Sequence, residues 1–253
     1  MAEWLGAGLQ TVYGGSNPPP TSNKFFLINN LLFLEINSYI CHMKYLNYRY
    51  IFPPRPKNAV SPEDLDFWDN GSLICQPKLN GSNTSIYTNG QKIIVMNRHG
   101  QRLTNVRVSD SEILSLYRGN GGWMILNCEY LNKSKSDETG QAFNHKFVIF
   151  DILCYDGDYL VGKTFEERVN LLDTLYDEVQ SEKDYLYSIS TNVYRVKSYR
   201  DGFKEFFDKY TPIDMIEGVV LKRCNARLEV GASELNNTKS QIKCRKTTKN
   251  YKY

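Results

Sequence analysis

The 253-residue sequence has only three histidines and six cysteines. No two cysteines form a C-x-x-C pair and the histidines are dispersed, so no zinc module is readable. Cys41, Cys75, Cys128, Cys154, Cys224 and Cys244 read as reduced, packed thiols. The chain also lacks a basic amino terminus leading into an apolar core and a small-residue cleavage site. Secretion is therefore unsupported and a cytoplasmic setting is expected, that of a host cell if the source is viral. The apolar stretch 25–40 is broken by Asn29, Asn30, Glu35 and Asn37, each costly at a bilayer centre, which argues against a membrane span. A large excess of one charge sign is also absent, with 31 Lys and Arg against 28 Asp and Glu. A net charge of +3 does not by its average mark a nucleic-acid binder, although Lys and Arg can gather on one face. With 41% hydrophobic and 23% charged residues, the composition is that of one sizeable globular domain or two small ones.

The first 42 residues hold just three charges, Glu3, Lys24 and Glu35. That shift sets off a leader over 1–42, followed by an extended lead-in over 43–70. Met1-Ala2-Glu3-Trp4 can be encoded by ATGGCCGAGTGG and Gly15-Ser16-Asn17-Pro18 by GGTTCAAATCC, strings like the D-arm and T-arm of a tRNA gene. Read-through of such a gene, with Met43 as the native start, accounts for this opening; a Gly/Pro-rich flexible leader accounts for it equally well.

From residue 43 charges return at ordinary density, and Pro53, Pro54, Pro56 and Pro62 punctuate the lead-in. Residues 84–87 and 92–96 flank Asn89-Gly90, which tolerates positive φ, so a hairpin is expected there. Residues 123–130 and 146–153 read as buried strands, with a turn at Asp156-Gly157. Thr164-Phe165-Glu166-Glu167 is a capping box, and Phe165, Val169, Leu172, Tyr176 and Val179 recur on one helical face behind it. A shorter helix over 201–209 precedes a strand over 218–222. Strands outnumber helices without regular alternation, which predicts an α+β fold with antiparallel sheets.

The segment most suited to chemistry is Lys78-Leu79-Asn80-Gly81-Ser82-Asn83. It sets a lysine at the end of a β-like run, beside a glycine that lets a ligand approach the backbone. Such a lysine can be a nucleophile if desolvation or nearby cations free its amine, and Lys243, Arg245 and Lys246 are candidate cations. The same string also suits a solvated turn. Glu129 and Glu217 stand in otherwise apolar strands, where an unpaired carboxylate is costly, and this favours a site. The basic tail 247–253, with Lys249 and Lys252 among Tyr251 and Tyr253, suits single-stranded nucleic acid or simple solvation.

From about residue 71 to 246 the sequence resembles the covalent nucleotidyltransferase superfamily of DNA ligases, RNA ligases and mRNA capping enzymes. Lys78 to Asn83 is similar to the nucleophile motif, and Asn97-Arg98-His99-Gly100 to the arginine-glycine element that follows. Asn127-Cys128-Glu129-Tyr130 resembles the acidic motif, residues 147–153 the aromatic strand, Glu217-Gly218-Val219-Val220-Leu221-Lys222 the fourth motif and Gln241-Ile242-Lys243-Cys244-Arg245 the fifth. The resemblance implies an ATP-grasp-like nucleotidyltransferase core over 71–246, with antiparallel sheets, flanking helices and a central nucleotide cleft. It implies that Lys78 attacks the α-phosphate of ATP, that Lys243 and Arg245 hold phosphates, and that Glu217 helps place Mg2+ or Mn2+. Arg98 and Glu129 would contact ribose or the acceptor phosphate, Phe150 would stack on the base, Gln76 would read its edge, and Lys222 would join the nucleotide-binding set. The implied partner is nucleic acid, with no membrane.

Asn80 stands where the superfamily commonly has Asp, and Cys128 where glycine is usual; both departures bear on activity rather than fold. Residues 81–87 are more similar to RNA ligases, because DNA ligases and capping enzymes place Arg or Lys at the Asn83 position. Residues 150–153 with Glu167-Arg168 and Leu171-Leu172 are equally similar to DNA ligases and capping enzymes. The short stretch after the fifth motif leaves no room for an oligonucleotide-binding barrel. An RNA-ligase-like enzyme with RNA as the preferred partner is the resulting expectation. An ATP-dependent DNA ligase, a GTP-using capping guanylyltransferase and a noncatalytic nucleic-acid-binding module are the alternatives.

Overall fold

The computed structural model describes residues 50–133, 135–177, 183–231 and 236–247. The leader with its tRNA reading, the start of the lead-in, Val179 and residues 248–253 of the tail lie outside them. In chain order the strands are β1 (Arg55–Ala59), β2 (Leu73–Leu79), β3 (Ser82–Thr88), β4 (Ile93–Asn97), β5 (Met124–Leu131), β6 (Lys146–Tyr155), β7 (Asp158–Tyr159), β8 (Leu186–Ser188), β9 (Val193–Val196), β10 (Ile216–Arg223) and β11 (Asn237–Arg245). The α-helices are α1 (Leu65–Trp68), α2 (Asp110–Leu114), α3 (Phe165–Leu175) and α4 (Phe203–Tyr210). This is the α+β architecture expected.

Two sheets form. One has four strands in the order β1, β11, β10, β2; the other runs β4, β3, β5, β6, β9, β8, with β7 paired to β6. Most pairings are antiparallel, but β1 runs parallel to β11 and β6 parallel to β9. The lead-in is therefore not merely extended chain: Arg55–Ala59 closes one edge of the smaller sheet. Such parallel contacts join segments far apart in sequence, which local patterning does not encode.

The local signals translate directly. The hairpin forms as β3 and β4 around Asn89-Gly90, with Gly90 at φ +82°, and Asp156 and Gly157 take φ of +48° and +92° after β6. At the start of α3, Thr164 Oγ1 accepts from the Glu167 N–H while Glu167 accepts from the Thr164 N–H, and Phe165, Val169, Leu172 and Tyr176 are buried. A cap of this kind contributes about 1 kcal/mol. The smaller sheet packs on α4 through Cys75, Leu79, Val219, Leu221, Ile242 and Cys244 together with Phe203, Phe206 and Phe207. Each such side chain stabilises the fold by roughly 1.5–3 kcal/mol when fully buried. Asp151 on β6 is held by Arg168 of α3 through Nε–Oδ1 and Nη2–Oδ2 contacts of 2.8 and 2.9 Å, both side chains being almost fully buried. Among the described residues no helix is long and apolar enough to cross a membrane.

Candidate active site

Strand alternation turns one face of the smaller sheet to its core and the other to a cleft of about 830 Å³. Gln76 and Lys78 of β2, Val220 and Lys222 of β10, and Gln241, Lys243 and Arg245 of β11 all fall on the cleft face. The register sets them in rows: Lys78, Gly218 and Arg245 share one, and Gln76, Val220 and Lys243 the next. A side chain at Gly218 would run into the Cys244 carbonyl, so glycine is what lets β11 close on β10 at the nucleophile's row.

Two further groups reach the cleft through β-bulges. Opposite β2, β10 steps from Ile216 to Gly218 while β2 advances a single residue, so Glu217 is the extra one and turns to the cleft. Opposite β5, β6 steps from Asp151 to Ile149 against Asn127 and Cys128, leaving Phe150 as the extra residue there. Glu129 enters from β5 and Arg98 from the turn after β4, so the nine residues to which the resemblance assigns a role line one cleft.

Their contacts define its chemistry. Lys78 Nζ is ion-paired with Glu217 Oε1, and Arg245 Nη2 lies 3.4 Å from the same oxygen. Glu129 Oε1 accepts from the Gly81 N–H at 3.1 Å. A Cβ at Gly81 would stand only 2.6 Å from the Tyr130 carbonyl oxygen, which explains the glycine after the nucleophile. Burial pushes the Glu129 carboxyl up to about 7, against the pull of Lys78 and with the help of the Glu217 charge. Desolvation, then the Arg245 and Lys78 charges, holds Lys243 below the usual lysine range. Lys222 is 3% exposed with no hydrogen bond to Nζ, which sits 4.7 Å over the Phe150 ring and 4.5 Å over that of Phe165. Burial brings its ammonium down to about 8. Gln76 gives Nε2 to Ser198 Oγ at 3.0 Å, while its buried Oε1 has no partner.

Lys246 departs from expectation. Its Nζ donates to the Thr211 and Ile213 carbonyls at 2.7 and 3.1 Å, capping the chain after α4 instead of facing Lys78. It follows Arg245 directly, so alternation points it away from the cleft face. Arg55 also lines the cleft, as does Asn83 with Asn127 behind it; the sequence motifs contain Asn83 and Asn127 but assign neither a role. Arg55 is delivered by the parallel β1, which no local signal announces.

The sequence profile of the ATP dependent DNA ligase domain matches residues 57–240. Among solved structures, mycobacterial DNA ligase D complexed with ATP and MES aligns with a TM-score of 0.56 at 16% identity, over 78% of this chain and 62% of that one. The ligase domain of M. tuberculosis LigD aligns with a TM-score of 0.55 at 16% identity, over 78% of this chain and 61% of that one. At that identity the shared feature is the fold, and the chain spans less than two thirds of either structure. No curated protein matches the sequence.

Proposed function

We propose, from the premise that the chain belongs to the ATP-dependent DNA ligase domain family and so to the covalent nucleotidyltransferase superfamily, that it performs nucleotide transfer for a DNA-type polynucleotide ligase. The observation that supports this most directly is Lys78, in contact with Glu217, on a sheet face that also presents Lys243 and Arg245. In the first step Lys78 Nζ attacks the α-phosphorus of ATP. A P–N bond forms, the α–β phosphoanhydride bond breaks and pyrophosphate leaves. Glu217, touching Nζ, is placed to receive the proton, and Lys243 and Arg245 neutralise charge on the phosphate. An oxygen of a 5′-phosphate end then attacks the same phosphorus and the P–N bond breaks. A 3′-hydroxyl finally displaces AMP to form the phosphodiester.

The base end has a buried acceptor, Gln76 Oε1, and a buried donor, Lys222 Nζ, neither with a hydrogen-bond partner. An amino group and a ring nitrogen of adenine match them. Lys222 already covers one face of Phe150, so stacking would use what that ring leaves open. Glu217 and Glu129 fit a divalent cation of the Mg2+ or Mn2+ type: two carboxylates share the cleft, and the charge of one raises the pKa of the other. Among the described residues no group of three or more His, Cys, Asp or Glu is placed to hold a metal ion by itself, and Mg2+ commonly takes one or two carboxylates with phosphates and water. When bound it would supply charge neutralisation on the phosphates.

The family match favours DNA over the RNA substrate suggested by residues 81–87. A sealing assay on nicked DNA and nicked RNA duplexes with ATP or GTP tests the proposal. Sealing of DNA with ATP, lost in Lys78→Ala, is expected. Sealing confined to RNA would overturn the substrate, and use of GTP alone would overturn the nucleotide.

A further inference from the structure

Lys222 and Gln241 face each other in the last paired row of β10 and β11, and beyond that row lies a second cavity of about 470 Å³. It shares Pro54, Lys222 and Gln241 with the cleft, but its other walls belong to different parts of the chain: the connection between β10 and β11, the first turn of α3 and the start of β11. These walls are built. The connection is tied to α3 by the Phe165 N–H, which donates to the Ala226 carbonyl, and by the Leu228 N–H, which donates to that of Lys163, both at 2.8 Å. Opposite, β11 runs from Thr238 to Ile242 while β1 runs only from Pro56 to Asn58, and the bulge brings Lys239, Ser240 and Gln241 together onto the cavity wall.

The cavity carries a surplus of positive charge. Arg227 and Lys239 are exposed at it, and Lys222 is buried beneath it; the opposing carboxylate is Glu229. Arg168 adds nothing to this surplus, because Asp151 and the Lys163 carbonyl take its donors. Arg227 is oriented by the bond from its Nη1 to the Gly162 carbonyl at 2.6 Å. Lys222 Nζ has no hydrogen bond and lies between the ring of Phe150, which lines the cleft, and that of Phe165, which lines this cavity. Its ammonium is thus a buried charge felt in both spaces, little screened by salt.

We infer that this cavity is a second ligand site, for a small organic phosphomonoester. Arg227 and Lys239 hold the phosphate with the charge of Lys222 behind them, and the organic part lies on the apolar surface of Pro54 and Ala226. Glu229 offsets one of the cations, and the remaining charge matches a phosphomonoester, which carries nearly two negative charges at pH 7, better than a carboxylate. Phosphate oxygens also suit the fork of a guanidinium already fixed at one end. The inference does not depend on what the cleft binds.

Calorimetric titration at constant ionic strength tests it, with phenyl phosphate and with inorganic phosphate as probes. The proteins compared are wild type, Arg227→Ser/Lys239→Ser at the cavity, Lys243→Ala/Arg245→Ala at the cleft, and Lys222→Met. The cleft variant should keep one site for phenyl phosphate. The cavity substitutions, made in it or in wild type, should weaken that site roughly tenfold or more, the size of lost charge-assisted contacts. Lys222→Met should weaken it severalfold, and inorganic phosphate should bind it less tightly than the ester. No binding of either probe, binding lost in the cleft variant, or affinity unchanged by the cavity substitutions would overturn the site. Equal affinity for the two probes would overturn the organic part of the ligand. Arg227 and Lys239 are exposed, and an unchanged melting temperature of their double variant shows that a loss of binding is not a loss of fold.

Discussion

Two ion pairs of this chain are made of the same chemistry and built to opposite ends. Asp151 and Arg168 meet through two parallel contacts, with side chains 1% and 3% exposed, and Arg168 spends a third donor on the Lys163 carbonyl. Lys78 and Glu217 meet through a single oxygen shared with Arg245, at 18% and 22% exposure, on the wall of an open cleft. The first pair is complete within the protein. The second leaves capacity unused, and around it stand Gln76 Oε1 and Lys222 Nζ, buried without hydrogen bonds. A pair that fixes a helix to a sheet needs every donor answered, whereas a pair that must part for a ligand is surrounded by groups a ligand can answer.

The comparison breaks if the pairs respond alike to mutation. The largest effect is expected for Arg168→Ala, which strands a buried carboxylate and should cost about 3–5 kcal/mol of stability in denaturant melts. The adduct per folded molecule should be retained; equal stability losses for Arg168→Ala and Lys78→Ala would erase the distinction. Next comes Lys222→Met. Burial depresses the folded-state pKa of Lys222 from 10.5 to about 8. The folded chain therefore binds this proton less well than the unfolded one, and the ammonium destabilises it below pH 8. The penalty shrinks as pH rises from there towards the unfolded value. At pH 7 the variant should be more stable by about 2 kcal/mol and weaker for ATP, read by melting and by the KM of adduct formation. Unchanged stability at pH 7 would mean that burial of the Lys222 ammonium carries no cost.

The smallest effect concerns Glu129, whose folded-state pKa is raised from 4.5 to about 7. Its contribution to stability is present below pH 4.5 and is lost as pH climbs through 7, because the folded chain holds the proton more tightly. Glu129→Gln should flatten that stretch of the stability profile by about 1 kcal/mol. A parallel profile in the variant would place the titration elsewhere.

Of the smaller sheet, the β-like run ending at Lys78 and the strand over 218–222 were legible; β1 and β11 were not, and alternation sorts Gln76 with Lys78 and Lys243 with Arg245 onto one face only once those strands are in place. The hairpin at Asn89-Gly90 and the cap at Thr164 were legible for the same local reason. What local pattern could not show is where the alternation breaks. Glu217 and Phe150 reach the cleft only through bulges, and a bulge is defined against a partner strand whose register the sequence does not state. The parallel pairings of β1 and β9, and the contact of Asn127 with Asn83 44 residues away, are long-range in the same sense. The lean towards RNA ligases rested on residues 81–87 and on the short stretch after the fifth motif, whereas the DNA ligase profile spans residues 57–240. A single motif reports which side chain meets the substrate and little about the scaffold around it.

The central claim is that Lys78 carries the nucleotide. It is tested most directly by incubating the chain with ATP labelled at the α-phosphate and a divalent cation, then locating the label by peptide mass analysis of wild type and Lys78→Ala. A nucleotidyl group on the peptide that contains Lys78, acid-labile as a P–N bond requires and absent from the variant, is the predicted result. Label on another residue, or label that persists in Lys78→Ala, would contradict it.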